Sequence, residues 1–146
     1  MRAVIQRASE AEVRVDDEVI GKIEEGLVVL LGIGEGDSSE DVDYLADKIL
    51  QLRIFGDEAD KMNLSAFDVG ADVLVVPNFT LYGDCSQGRR PDFNQAAPPN
   101  RAEELYEEFV SQVKESGLSV ATGQFKAMME VDFINDGPVT FVLESE

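Results

Sequence analysis

Val76-Pro77-Asn78-Phe79-Thr80-Leu81, in mid-chain, carries an apolar β-type run onto a proline and then into a polar turn. Near the other end, Asn135-Asp136-Gly137-Pro138-Val139-Thr140 joins two further β-type runs through a turn-forming cluster. Proline has no N–H to continue a ladder, so Pro77 marks the end of the strand predicted over 72–76. Asp136-Gly137 between β runs is a hairpin signal. Pro138 complicates it, because an X-Pro bond adopts cis at a cost of only about 0.5–1 kcal/mol.

Outward from these segments, residues 1–9 and 12–15 read as strands, with a turn at Asp16-Asp17-Glu18 before a strand over 19–23. Leu27 to Leu31 is continuously apolar and predicts a central strand. A helix begins near Ser38, where Ser38-x-x-Asp41 has the form of a capping box, and buries Val42, Leu45, Ala46, Ile49 and Leu52. Arg53-Ile54-Phe55 reads as a short strand, followed by a polar turn over 56–61. Residues 83–99, rich in Gly, Pro, Asp and Asn, predict the longest loop, and it carries the densest positive charge, Arg89-Arg90. A second helix is expected from Asn100, capped by Asn100-x-x-Glu103, to Gly117, burying Ala102, Leu105, Tyr106, Phe109 and Val113. Strands over 119–122, 128–134 and 139–143 complete the chain. Without regular βαβ alternation, this order predicts an α+β fold with antiparallel or mixed sheets.

The 146 residues, 44% of them hydrophobic, suit one domain spanning 1–146 that buries roughly 70% of its extended-chain surface. No run approaches the roughly 20 apolar residues of a membrane span, and Met1-Arg2-Ala3-Val4-Ile5 lacks the form of a signal peptide. The single Cys85 fits a reducing compartment. A cytoplasmic protein with no membrane partner is expected. The net charge of −18, from 30 acidic and 12 basic residues, is unusual for a protein that meets nucleic acid. It fits a well-solvated surface, a basic protein partner, or adaptation to a salty cytoplasm in which screening makes self-repulsion tolerable.

There is no histidine, which excludes Ser-His-Asp, Cys-His and His-based zinc chemistry. No Gly-x-x-x-x-Gly-Lys-Ser/Thr phosphate loop occurs, and Gly32-Ile33-Gly34-Glu35-Gly36 meets Asp37 where a dinucleotide fingerprint needs glycine. Thr80 is a candidate nucleophile but has no base nearby in sequence. Cys85 beside Arg89 and Arg90 is a weaker one, again without a histidine. Catalysis by the backbone remains: the N–H groups of Phe79 and Thr80, just past the Pro77 strand break, are candidate donors to an oxyanion.

The two opening segments, with Gly88-Arg89-Arg90-Pro91, Ala96-Ala97-Pro98 and Thr122-Gly123, closely resemble the D-aminoacyl-tRNA deacylases over essentially the whole chain. The resemblance implies a barrel-like core with two main helices, in a homodimer. It implies hydrolysis of the ester between a D-amino acid, or glycine mischarged onto alanine tRNA, and the tRNA 3′ end. No metal or organic cofactor is implied, and no DNA partner. In that family the Gly-Pro bond is cis, and the pair, here Gly137 and Pro138, reaches into the other subunit's pocket and excludes L-amino acids. The 2′-hydroxyl of the terminal ribose assists the attacking water. Arg7 matches a position that helps hold this loop, and Phe125 and Met129 match pocket positions, although both residue types are also ordinary core. The usual family segment is Ser-Gln-Phe-Thr-Leu, so Pro77 and Asn78 depart from it. A related animal deacylase with proline there accepts some L-alanyl-tRNA, which makes a relaxed L-alanyl deacylase the first alternative. A non-catalytic module binding tRNA ends or a basic protein is the second.

Overall fold

Leu27 to Leu31 is apolar throughout because both faces of its strand are covered. In the computed structural model, which describes residues 1–145, this run forms β3 (Gly26–Gly32). It lies antiparallel to β1 (Arg2–Val15) and parallel to β6 (Asp72–Pro77). Leu27, Val29 and Leu31 face one core, together with Ile5, Val73 and Val75. Val28 faces a second, with Ala11, Val13, Ile23, Leu74 and Val76.

The main sheet runs β2 (Glu18–Ile23), β1, β3, β6, β7 (Val120–Thr122), and β8 (Glu130–Glu144) lies on the free edge of β1. It is mixed: β6 and β7 are parallel to β3, and the pairings of β1 are antiparallel. Asp16 and Asp17 both take positive φ, 49° and 65°, as a two-residue hairpin of this twist demands. A small hairpin of β4 (Phe55–Gly56) and β5 (Met62–Leu64) stands apart. The second core fills the space where β2 folds over β7. A methyl group on Gly21 would come within 2.8 Å of the Thr122 carbonyl oxygen, so the two ends of the sheet nearly meet and form an almost closed barrel.

Helices cover the first core. α1 (Ser39–Gln51) starts at the expected capping box, with the Ser38 N–H donating to Asp41 Oδ2 at 2.8 Å, and buries Val42, Leu45, Ala46 and Ile49. α3 (Pro99–Glu115) buries Leu105, Phe109 and Val113 completely, and each such side chain contributes about 1.5–3 kcal/mol by leaving water.

Several boundaries differ from expectation. α3 begins at Pro99 with Pro98 as N-cap, so Asn100 sits inside the first turn and caps nothing. Pro99 keeps Pro98 extended and lacks the N–H that a first helical residue leaves unbonded, and together these outcompete an asparagine cap. The two strands expected at the start are one, β1, continuing through irregular pairing near Ala8. Arg53 and Ile54 precede rather than form β4. A short helix α2 (Ala66–Val69) was not expected, although Ser65 and Asp68 form a capping box like that of α1. The last two expected strands are also one, and Asp136-Gly137 is therefore not a hairpin: β8 runs antiparallel to β1 on both sides of it.

The β3–β6 contact is closest at Gly26, where an added methyl would lie 1.9 Å from the Asp72 carbonyl oxygen. Backbone cannot yield there as a side chain would. Gly26→Ala is expected to cost about 3 kcal/mol in urea unfolding. Gly56→Ala, with open space around it, is expected to leave the midpoint nearly unchanged. Equal midpoints for the two would refute this account of the contact.

Candidate functional site

β6 delivers the first segment. Its ladder ends at Pro77, and the Asn78 N–H still reaches the Leu31 carbonyl at 2.8 Å before the chain tightens into a 3-10 turn over Phe79–Tyr82. The N–H groups of Leu81 and Gly83 close this turn onto the carbonyls of Asn78 and Thr80. Those of Phe79 and Thr80 have no partner among the described residues, as the first donors of any helical turn must. Arg2 fixes the far end: it donates to the Leu81 carbonyl at 3.1 Å and its guanidinium lies 4.5 Å over the Tyr82 ring.

Thr80 donates its hydroxyl hydrogen to Asn78 Oδ1 at 2.5 Å. An amide oxygen cannot remove that proton, so the contact orients the hydroxyl without activating it. Burial, reinforced by Asp37, holds the Tyr82 phenol far above its usual range, so it stays neutral and is no base at pH 7. The Phe79 side chain is 60% exposed, and its ring lies 5.1 Å from that of Phe93 in the long loop.

Met129 and Phe125 flank the same end of β6 from opposite faces of the sheet. The Gly123 N–H and the Tyr106 hydroxyl both donate to the Val75 carbonyl, at 2.9 and 3.0 Å. Phe125 packs on the Tyr106 ring and the helix-side core, while Met129 joins the second core and accepts from the Gln124 N–H at 3.3 Å. A methyl at Gly123 would meet both Met129 and Pro77, so these two residues are neighbours.

The second segment is built differently. β8 pairs Asn135 with Ala8 and Thr140 with Gln6, so four residues, Asp136–Val139, stand opposite the single Arg7. They leave the ladder and project from the sheet edge. Gly137 lies at φ 128°, and the Gly137–Pro138 bond is cis. Arg7 Nε meets Asp136 Oδ2 at 3.1 Å and its Nη1 donates to the Ile54 carbonyl at 2.8 Å, which ties the projection to the β4 end of the fold. Asn135 closes the base, accepting from the Val139 N–H at 3.3 Å and donating to Thr140 Oγ1 at 3.2 Å, and Gln6 donates to the same oxygen. Sequence reasoning named Arg7 but missed Asn135, Thr140 and Gln6. The Asn at the start and Thr at the end of a Gly-Pro cluster were the available signal.

Within one chain the two segments do not meet. Asn135 is level with Ala8 and hence with Gly26, at the start of β3, whereas Pro77 is level with Leu31, near its end. Four to five residues of rise and three strand spacings separate them by about 20 Å across the sheet. The residues around Phe79 and Thr80 are thus Pro77, Asn78, Met129 and Phe93, while Gly137, Pro138 and Arg7 lie at the opposite corner. One concavity of about 290 Å³ is lined by Glu40, Asp41, Tyr44 and Ser145, and belongs to neither. Among the described residues, no group of three or more carboxylates or thiols is placed to hold a metal ion. The arrangement offers two free backbone donors, an exposed aromatic ring and an apolar wall. At the other corner it presents a braced loop whose residues Asp136, Gly137 and Pro138 are exposed.

Known proteins share both the sequence and the fold. The family model described as D-Tyr-tRNA(Tyr) deacylase matches residues 4–144. A protein of Clostridioides difficile named D-aminoacyl-tRNA deacylase is 59% identical over 99% of this chain and 97% of its own length. One of the same name from Thermosipho africanus is 56% identical over 100% and 98%. Among solved structures, a c-Myc DNA Unwinding Element Binding Protein superposes with a TM-score of 0.94 at 40% identity, over 100% of this chain and 99% of that one. A probable eukaryotic D-amino acid tRNA deacylase has the same fold, with a TM-score of 0.86 at 18% identity over 99% and 98% of the two chains. With its strand order, its projecting Gly-Pro loop and a family match across nearly its whole length, this chain belongs to the D-Tyr-tRNA(Tyr) deacylase family.

Proposed function

We propose that this deacylase cleaves the ester between a D-amino acid, or glycine mischarged on alanine tRNA, and the 3′ end of tRNA. The observation that carries the mechanism is the pair of unpartnered N–H groups at Phe79 and Thr80. Water attacks the ester carbonyl, assisted by the vicinal 2′-hydroxyl of the terminal ribose. The carbonyl oxygen becomes an oxyanion facing the two N–H groups, each worth about 2.7–4 kcal/mol in such a position. Collapse then breaks the C–O bond, and the departing 3′-oxygen takes up the proton that the attacking water gives up, passed through the 2′-hydroxyl. No side-chain base is required, which suits a chain without histidine.

Selection of the D configuration falls to Gly137 and Pro138 of a second subunit. A loop that projects from a sheet edge, about 20 Å from its own chain's Phe79–Thr80 turn, serves a site only when another copy supplies it. The exposed apolar residues Ile134, Phe141 and Val142 on the same edge strand favour a homodimer there. Backbone carbonyls at the loop tip strike an L side chain and leave a D side chain or glycine room. Such backbone exclusion suits an enzyme that accepts many side chains. Pro77 stands beside Met129 at the pocket wall, so the alternative of a relaxed L-alanyl-tRNA deacylase rests on a named contact. The net charge of −18 disfavours duplex DNA as a partner.

Three outcomes are expected. In deacylation assays on matched esters, D-tyrosyl- and glycyl-tRNA are consumed while L-tyrosyl- and L-alanyl-tRNA persist. Loss of the L-alanyl ester alongside would assign Pro77 the relaxed role, and turnover of none would leave only a binding module. Thr80→Ala retains kcat within about tenfold, because no base activates the hydroxyl as a nucleophile; a loss of 10²-fold or more would make the hydroxyl a chemical participant. Gly137→Ala places a methyl 2.6 Å from Val139 Cγ2 at a φ foreign to alanine. A displaced loop tip then lowers D-ester turnover by about 10²-fold at unchanged secondary structure by circular dichroism. Undiminished turnover would remove the loop from the site.

A further inference from the structure

The arginines fall into two groups. Arg2, Arg7, Arg14, Arg53 and Arg101 each bond to a carbonyl or carboxylate of the fold. Arg89 and Arg90, both exposed, bond to nothing among the described residues. They are adjacent in a chain whose net charge is −18.

The loop that carries them is stiffened at its neck. Asp84 and Asp92 exchange two backbone hydrogen bonds, at 2.7 and 2.9 Å, and so close residues 85–91 into a tip. The carboxylates of those two acids are turned onto the loop itself. Asp84 accepts from the Ser86 N–H at 2.8 Å, and Asp92 accepts from the Asn94 N–H and side-chain amide at 2.7 and 2.8 Å. Their negative charge is thus held at the neck, and the guanidinium groups stand at the tip. Phe93, next after Asp92, packs on Phe79, one residue from Thr80. The basic tip is therefore mechanically coupled to the turn that carries the two free N–H donors.

The geometry points to Arg89 and Arg90 as a phosphate clamp for the single-stranded 3′ end of the tRNA, an inference that rests on the deacylase reading above. A guanidinium presents a planar fork matched to phosphate oxygens. The exposed Phe79 and Phe93 rings at the base of the same loop offer the stacking surface that bases, unlike acidic peptides, use. Acidic residues outnumber basic ones 30 to 12 and repel a polyanion, so two adjacent unpaired guanidinium groups at one corner favour that corner for entry of the strand.

The test compares wild type with Arg89→Ala/Arg90→Ala, using Lys48→Ala/Lys114→Ala as a charge-matched control. Each is assayed on D-tyrosyl-tRNA and on D-tyrosyl-adenosine, which keeps the ester and lacks the phosphates, at 50 and 200 mM potassium chloride. Two lost phosphate contacts at a slope of about 0.7 each make the variant-to-wild-type KM ratio for tRNA about sevenfold larger at the lower salt. The ratio for D-tyrosyl-adenosine stays near one, kcat is unchanged, and the control behaves as wild type. An equal shift on both substrates, or none on tRNA, would overturn the clamp. So would polyglutamate binding that needs both arginines and exceeds the binding of uncharged tRNA, since it would assign the tip to an acidic protein. If wild type hydrolyses neither ester, the deacylase reading fails. The dissociation constant of uncharged tRNA for the two proteins at both salts then decides the clamp by the same ratio.

Discussion

Everything in this molecule hangs on β1. One edge of this fourteen-residue strand holds β3 along its first half and β2 along its second, and the other edge holds β8 throughout. A strand hydrogen-bonded on both edges cannot slide by one residue without turning every buried side chain to the wrong face. With β1 fixed, β3 sets the height of β6, β6 ends at Pro77, and the Phe79–Thr80 turn follows. The same ladder sets the height at which β8 leaves and rejoins β1 around Arg7. The two candidate half-sites are thus positioned by one register, although they share no contact.

The fold was legible wherever a pattern of the right period ran unbroken. The 3.6-residue spacing of Val42, Leu45 and Ile49 and the two-residue alternation of Val131 and Phe133 with Asp132 placed α1 and the first half of β8. The continuous apolar run Leu27–Leu31 identified the central strand, because only a strand covered on both faces has no polar side to show. What failed to show was continuity. Asp136, Gly137 and Pro138 have turn chemistry, and local sequence cannot distinguish a turn that reverses the chain from a loop whose strand resumes in the same direction. The answer depends on β1, more than a hundred residues away, which pairs on both sides of the break. The α3 start was misplaced for a more local reason: Asn100 is a good cap in isolation, but two prolines before it had already fixed the backbone.

Of the candidate site, the segments could be singled out in the sequence, and their placement relative to one another could not. Pro77, Asn78, Phe79 and Thr80 could be named from sequence, and so could Arg7, Gly137 and Pro138. That they occupy opposite corners follows only from register. That Gln6, Asn135 and Thr140 form one bracing set was not legible for a related reason. Amides and hydroxyls are common on any strand, and only the pairing of Gln6 with Thr140 makes these three neighbours. The absence of histidine was, by contrast, legible from the beginning, and it excluded histidine-based nucleophilic and zinc chemistry.

The extrusion of Asp136–Val139 from β8 has a consequence for how such a protein changes over time. The ladder resumes in the same sense on both sides of the loop, so the sheet is insensitive to what its tip presents. Substitutions at the exposed Asp136 and Pro138 alter the surface offered to a neighbour without changing a strand register, whereas Val139, at the end of the loop, is buried. The pairing that holds the sheet and the loop that meets a neighbour are separate parts of one strand. A lineage with this architecture is free to revise that surface by local editing at the rim while the scaffold stays as it was.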